Sequence, residues 1–491
     1  MKNPRLLNST VSRLESLSFH SIVYFLGKVI PGIISLLSIF FFTRKLGFAD
    51  YGILSLSLPL IIFLNIVFFQ WLPISISKFY YSRSVSKLKL RNLSLIIFNK
   101  IALLFSTLSL LIYFFFVPKN FKSIFLVSVF FLLSLAWYDL HIQFLQIKLK
   151  SFFYSFFDSF RSIIALSFCF LCLFFIQSPI SILFGTGLGY LITAYLIYEY
   201  SKKLHFENGN TRLEKSFLSL FNFGFPYALS LGIIHFGNFA VRLFLTINYG
   251  YEIVGQYSPS YDLVQFVTNF LMSAITMASL PILYKSFGEG KINFARKSLL
   301  ENFILQILLG LPLMIGFIIL AKDFSSLFFK GDYQKISEDL IPAFSIASFI
   351  IAIRVNYFDL AFHISGHTFL IFFITLTSIL INIFCLFYFF PLYGIQGIAY
   401  ALIIMSVCSL VMSILIGRYF YPLQLFTKDF YKAIPSLFFV SLIFSMQFKF
   451  LDLSTLYTLI FKIFFGVTVY FLFLYLMKFA NIKKINFKKL L

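Results

Sequence analysis

Apolar residues run along this chain in recurring blocks of about twenty, separated by short polar or basic stretches, from residue 21 to residue 477. Wound as a helix at ~1.5 Å per residue, such a block matches ~30 Å of hydrocarbon. The blocks predict spans at 21–43, 52–75, 93–116, 123–146, 161–177, 179–199, 217–247, 254–284, 299–321, 339–362, 368–390, 394–417, 433–448 and 454–477. The pattern is that of an all-α polytopic membrane protein with about fourteen transmembrane helices.

The stretch FFTRKLGFADYGILSLSLPL (41–60) shows how two spans join. Arg44 and Lys45 close the first apolar run, Gly47 and Gly52 follow, and the chain turns apolar again. A reversal is expected there, with the glycines as its turn residues. Lys2, Arg5 and Arg13 precede the first run as in a secretory leader, but that run is too long and lacks a small-x-small cleavage site. An uncleaved first span is therefore expected.

Composition agrees: of 491 residues, 60% are hydrophobic and 12% charged. The 73 Phe and 28 Tyr residues read as apolar bulk rather than as stacking platforms. The net charge of +22 is spread over short loops. With the N-terminus inside, 27 of the 40 Lys and Arg residues fall in cytoplasmic segments, 8 in outer segments and 5 within spans. Positive charge held inside sets orientation and meets anionic headgroups, so both termini are expected in the cytoplasm and no nucleic acid is expected as a partner. Cys169, Cys172, Cys385 and Cys408 lie in apolar spans, and the C-x-x-C pair has no neighbouring His, Cys or charge to complete a metal or redox site. Neither a metal nor a cofactor is expected.

The opening stretch recurs. A shift of 203 residues lays 41–63 on FLTINYGYEIVGQYSPSYDLVQF (244–266), pairing Gly47 with Gly250, Gly52 with Gly255, and Ser55 with Ser258. GLGYLI (187–192) and GIAYAL (397–402) pair at a shift of 210. Two parallel six-span halves follow, 1–205 and 206–425, with an extra transmembrane pair and basic tail at 426–491.

Three blocks carry a resemblance to a known family. Arg44, Leu46, Gly47, Tyr51 and Gly52 fit its aRxLGxxxYG turn; Pro226, Arg242, Gly255 and Tyr257 fit its glP…R…vGxY pattern; Tyr393, Gly394 and Gly397 fit lyGixGaa. Over residues 20 to about 420 the chain resembles the polysaccharide flippases, O-antigen type, of the multidrug/oligosaccharidyl-lipid/polysaccharide (MOP) superfamily. One departure stands out: many relatives carry an acidic residue just before the seventh-span arginine, where this chain has Val241. The resemblance implies a V-shaped bundle of two six-helix halves that alternates between inward-open and outward-open forms. It implies a bacterial inner-membrane protein that moves a polyprenyl-pyrophosphate-linked oligosaccharide from the cytoplasmic to the outer leaflet for surface polysaccharide synthesis. Such a protein acts as a monomer among membrane lipids, with a glycan polymerase and other assembly proteins as partners.

A pyrophosphate with a polar sugar chain needs cations and wet walls to cross hydrocarbon. Lys28, Arg242 and Arg354 are the candidate cationic cavity residues; Lys28 lies about 12 Å into its span. Snorkelling to the headgroups is the competing role for Lys28 and Lys100, and Lys462 belongs to the extra pair. Asp139, Asp262 and Asp359 are the carboxylates within spans, and His363 sits one turn from Asp359, where a titrating pair could couple transport to an ion or proton. A structural counter-ion role is the alternative for Asp359. Gly47, Gly52, Gly250 and Gly255 are the expected structural turns.

Rival readings share part of this pattern. A peptidoglycan lipid-precursor flippase would have the same architecture; a multidrug exporter of the superfamily would suit an apolar cavity with carboxylates, whereas Lys28, Arg242 and Arg354 favour an anionic cargo. A membrane enzyme such as a glycan polymerase would place paired carboxylates in a large outer loop, whereas the longest outer segment here, 322–338, has about seventeen residues. A transporter and not an enzyme is expected.

Overall fold

The structure, a computed structural model, describes residues 27–80, 87–148, 150–202, 216–288, 292–367, 369–421, 423, 433–445 and 455–476. The basic N-terminal segment, the C-terminal tail and parts of the expected loops at 76–92, 200–216 and 418–432 lie outside the described residues. Among those described, the regular structure is all helical. In chain order the first seven helices are α1 (Gly27–Lys45), α2 (Phe48–Tyr80), α3 (Lys87–Phe115), α4 (Lys122–Ile147), α5 (Ser151–Phe175), α6 (Pro179–Lys202) and α7 (Ser216–Tyr249). The rest are α8 (Tyr251–Gly288), α9 (Ile292–Ile319), α10 (Ala321–Phe328), α11 (Asp332–Ser365), α12 (Phe369–Tyr393), α13 (Ile395–Phe420), α14 (Ala433–Ser445) and α15 (Thr455–Leu476).

Twelve of these helices are long and apolar enough to cross a membrane, so the chain is a multi-pass membrane protein. The other two expected spans, 254–284 and 433–448, fall on α8 and α14. Helix α8 is less apolar because Gln256, Asp262, Gln265 and Asn269 interrupt it, and α14 is described over 13 residues. The fifth span, expected from 161, is a helix that begins at Ser151, which puts Asp158 and Arg161 inside α5 rather than in a loop.

By packing, the chain divides into two compact units, Met1–Glu252 and Ile253–Leu491. The division falls after α7, whereas the repeat boundary proposed at 205 concerns similarity of sequence. In the first unit α6 lies against both α4 and α5. A Cβ on Gly189 would stand 2.5 Å from the Ala165 Cα, so a glycine there lets α5 and α6 approach closely. Cys169 adds a thiol donor to the Ile182 carbonyl at 3.3 Å, and all four cysteines are free. Helix α7 packs along α2, where Ser75 Oγ donates to the Leu220 carbonyl at 2.6 Å.

In the second unit α11 packs against α9 and α13, and α12 against α13. Helices α14 and α15 form a pair, α14 resting on α9 and α15 on α10, around Leu308, Leu320, Phe444, Leu459 and Leu474. Two helices contain a π turn, α2 at Ile66–Gln70 and α11 at Arg354–Phe358. Such a turn carries one more residue than an α turn and shifts the faces that follow.

The four expected turn glycines divide. Gly47 and Gly250 stand at the reversals, the first extended at φ −72° and the second left-handed at φ +89°. Gly52 and Gly255 lie buried inside α2 and α8, past the reversal.

Candidate functional site

The first unit brings together a charged cluster that only partly matches the residues expected from sequence. Lys28, near the start of α1, places its ammonium 2.9 Å from Asp158 Oδ2 on α5. Arg161, one turn beyond Asp158, donates to Oδ1 from Nε at 3.1 Å and from Nη2 at 2.8 Å. Tyr138 Oη on α4 donates to the same oxygen at 3.1 Å. Both carboxylate oxygens are thus taken, as a buried charge requires. Aromatic faces enclose the cations: the Arg161 guanidinium sits 4.5 Å from the Tyr190 ring centre and Lys28 5.6 Å from that of Tyr154.

Exposure is uneven across the cluster. The Asp158 side chain is 5% exposed and Arg161 15%, but Lys28 is 47% exposed. Two cations share the Asp158 carboxylate, so Lys28, Arg161 and Asp158 sum to one positive charge, with the Asp139 carboxylate also within electrostatic reach.

Sequence reasoning found Lys28 and missed Asp158, Arg161, Tyr138 and Tyr190. The signal was the D-x-x-R spacing in SFFYSFFDSFR (151–161), which puts both side chains on one helical face within a Phe-rich run.

Of the other expected residues, Asp139 lies within electrostatic reach of this cluster, and Arg242, Arg354 and Asp359 are engaged with other partners. Asp139 follows Tyr138 and takes its hydrogen bond from Asn65 Nδ2 at 2.8 Å beside the π turn of α2, while interacting electrostatically with Arg161, Asp158 and Lys28. Arg242 is 5% exposed and donates from Nη1 to the Ser55 carbonyl at 2.6 Å. In the second unit Arg354, also 5% exposed, lies 3.6 Å from Asp359 Oδ2 through Nε. Ser413 Oγ donates to Asp359 Oδ1 at 2.7 Å, and Arg354 Nη2 reaches Thr375 Oγ1 at 3.5 Å. Five residues apart on a regular α-helix would point ~140° away from each other; the π turn, closed by Asp359 N–H on the Arg354 carbonyl at 2.9 Å, sets them face to face.

His363 is half-buried one turn beyond Asp359, but among the described residues no hydrogen bond or ion pair joins the two side chains. Asp262 is half-buried on α8 in the second unit. Lys462 on α15 is paired with Asp323 on α10 at 2.6 Å. No cluster of three metal-ligating side chains occurs among the described residues.

Comparison with known proteins sets this architecture among relatives. No curated protein matches the chain in sequence. Among solved structures it is similar to the lipid II flippase MurJ in an inward closed conformation, with a TM-score of 0.72 at 16% identity, covering 94% of this chain and 100% of that one. A mutant of the Vibrio cholerae MATE transporter VcmN matches at a TM-score of 0.55 and 13% identity, over 84% of this chain and 98% of that one. An outward-facing multidrug resistance MATE family transporter of the MOP superfamily matches at 0.57 and 13%, over 83% and 95%. At these identities the likeness is one of fold. In sequence, residues 20–287 match the family of polysaccharide biosynthesis proteins. That match spans more than half of the 491 residues, and the chain belongs to the polysaccharide biosynthesis protein family.

Proposed function

We propose that this chain flips a polyprenyl-pyrophosphate-linked oligosaccharide repeat unit from the cytoplasmic to the outer leaflet of a bacterial inner membrane, by alternating access and with both termini cytoplasmic. The observation that carries the reading is the net positive cluster of Lys28, Asp158 and Arg161 within the apolar spans. A cation there has no role in solubility, and a half-exposed Lys28 ammonium is placed to receive an oxyanion. The polar residues of α8, among them Gln256, Asp262 and Gln265, support the same reading, because a sugar chain needs hydrogen-bonding walls.

In this proposal Lys28 and Arg161 meet the pyrophosphate first. Arg242 and Arg354 remain proposed cavity cations that serve in another state of the cycle, since here each is buried and engaged. Asp139, Asp262 and Asp359 with His363 are the proposed groups for ion or proton coupling.

A second reading is favoured by the TM-score of 0.72 to the lipid II flippase: cargo of the peptidoglycan-precursor type, which is also pyrophosphate-linked. The test is complementation. Expression should restore surface glycan in a strain lacking its oligosaccharide flippase and leave a strain depleted of its lipid II flippase unable to grow. The opposite result would replace the first reading with the second.

A further inference from the structure

We propose that Asp158 is a built-in stand-in for the cargo phosphate, holding Lys28 and Arg161 while the site is empty and opposing the cargo's charge once it is filled. The proposal rests on the cationic-site reading above and assigns Asp158 a positioning role in release. Its two oxygens accept from Lys28 at 2.9 Å, from Arg161 at 3.1 and 2.8 Å, and from Tyr138 at 3.1 Å. That is the donor set a phosphate oxygen pair would need, already arranged around a smaller anion.

The uneven exposure sets an order of events. An incoming anion meets Lys28, 47% exposed, with Asp158 behind it at 5%. Charge then decides the balance. Empty, Lys28, Arg161 and Asp158 sum to +1. A pyrophosphate diester brings two negative charges, so Lys28, Arg161 and Asp158 sum to −1 when loaded, one negative charge more than without Asp158, and the Asp139 carboxylate within electrostatic reach adds to the same repulsion. In a low-dielectric setting that surplus negative charge works against the loaded state. When cargo leaves, the carboxylate retakes both cations, so the largely buried Arg161 is never left unpaired. A flippase needs this: cargo bound tightly throughout the cycle shifts no equilibrium and is not released.

The test is binding of inorganic pyrophosphate to the full chain in lipid nanodiscs at fixed ionic strength. Asp158→Asn keeps the size of the side chain and its acceptor oxygen for Tyr138 while removing the charge. It should bind about tenfold tighter than wild type and turn cargo over more slowly. Folded Asp158→Asn protein that binds no tighter than wild type overturns the proposal and leaves the cationic-site reading standing. Equal binding by wild type and Lys28→Ala overturns that reading, and the proposal with it.

A second measurement needs no variant. Carbodiimide labelling of Asp158 in the wild-type protein, located by mass spectrometry, should rise when pyrophosphate is added, because the cations leave the carboxylate. Unchanged or reduced labelling overturns the proposal.

Discussion

Arg242 on α7 donates to the carbonyl oxygen of Ser55 on α2 at 2.6 Å, across 187 residues of sequence. That carbonyl is available because of Pro59. The helix would satisfy it with the N–H four residues on, and proline has none. The guanidinium therefore replaces a missing backbone donor in a buried place.

This relationship predicts a coupled pair of substitutions. Arg242→Ala should destabilise the protein by about 1.5–3 kcal/mol, the range for a lost charge-assisted hydrogen bond. In a Pro59→Ala background, which restores the helical N–H, the same substitution should cost clearly less. Denaturation in detergent across the double-mutant cycle measures the difference; equal costs in both backgrounds would mean that Pro59 is unrelated to Arg242.

Lys28 gives the prediction on cargo. Lys28→Ala should weaken pyrophosphate binding about ten- to a hundredfold, corresponding to a lost interaction of ~1.5–3 kcal/mol. Lys28→Glu should stop glycan export altogether at normal protein abundance, and Lys28→Arg should retain it. A lysine that merely anchors α1 at the headgroups would behave otherwise: its Glu form would chiefly lower abundance, as quantitative immunoblotting would reveal.

The two reversal glycines should respond differently to alanine. Gly250 has φ +89°, which strains any L side chain, so Gly250→Ala should cost about 1 kcal/mol. Gly47 has φ −72° with nothing within 4 Å of a Cβ, so Gly47→Ala should be close to silent. Melting temperatures of the two purified variants make the comparison.

Lys462 and Asp323 tie α15 to α10 at 2.6 Å, with side chains 13% and 27% exposed. Removing either partner should cost about 1–3 kcal/mol, between the values for exposed and fully buried pairs. The charge-swapped double variant, Lys462→Asp with Asp323→Lys, should recover part of that loss. Stability of the four proteins in detergent gives the answer.

Much of the fold was legible because hydrocarbon thickness sets helix length, and apolar runs report it directly. The boundary at α5 was not. Asp158 and Arg161 look like loop residues to a reading that counts charges singly, yet paired inside the helix they cancel most of each other's cost. The site was harder still. Lys28 was recognisable as a cation out of place, but its partner lies 130 residues away and nothing local points to it. Arg354 showed the reverse: it needed a carboxylate, Asp359 was five residues off, and only the π turn made that spacing productive. The resemblance to polysaccharide flippases identified the family from scattered glycines and arginines, which mark turns and helix contacts more than cargo.

The π turn at Arg354–Phe358 also bears on how this helix tolerates changes in length. One residue removed between Arg354 and Asp359 would close the turn to an ordinary α turn and leave the pair four apart, still on one face. A deletion elsewhere in α11 would instead rotate everything beyond it by ~100°. Alignments of this protein with its relatives should therefore place single-residue gaps at 355–358, and a shorter relative would keep its Ser413 counterpart facing the same carboxylate.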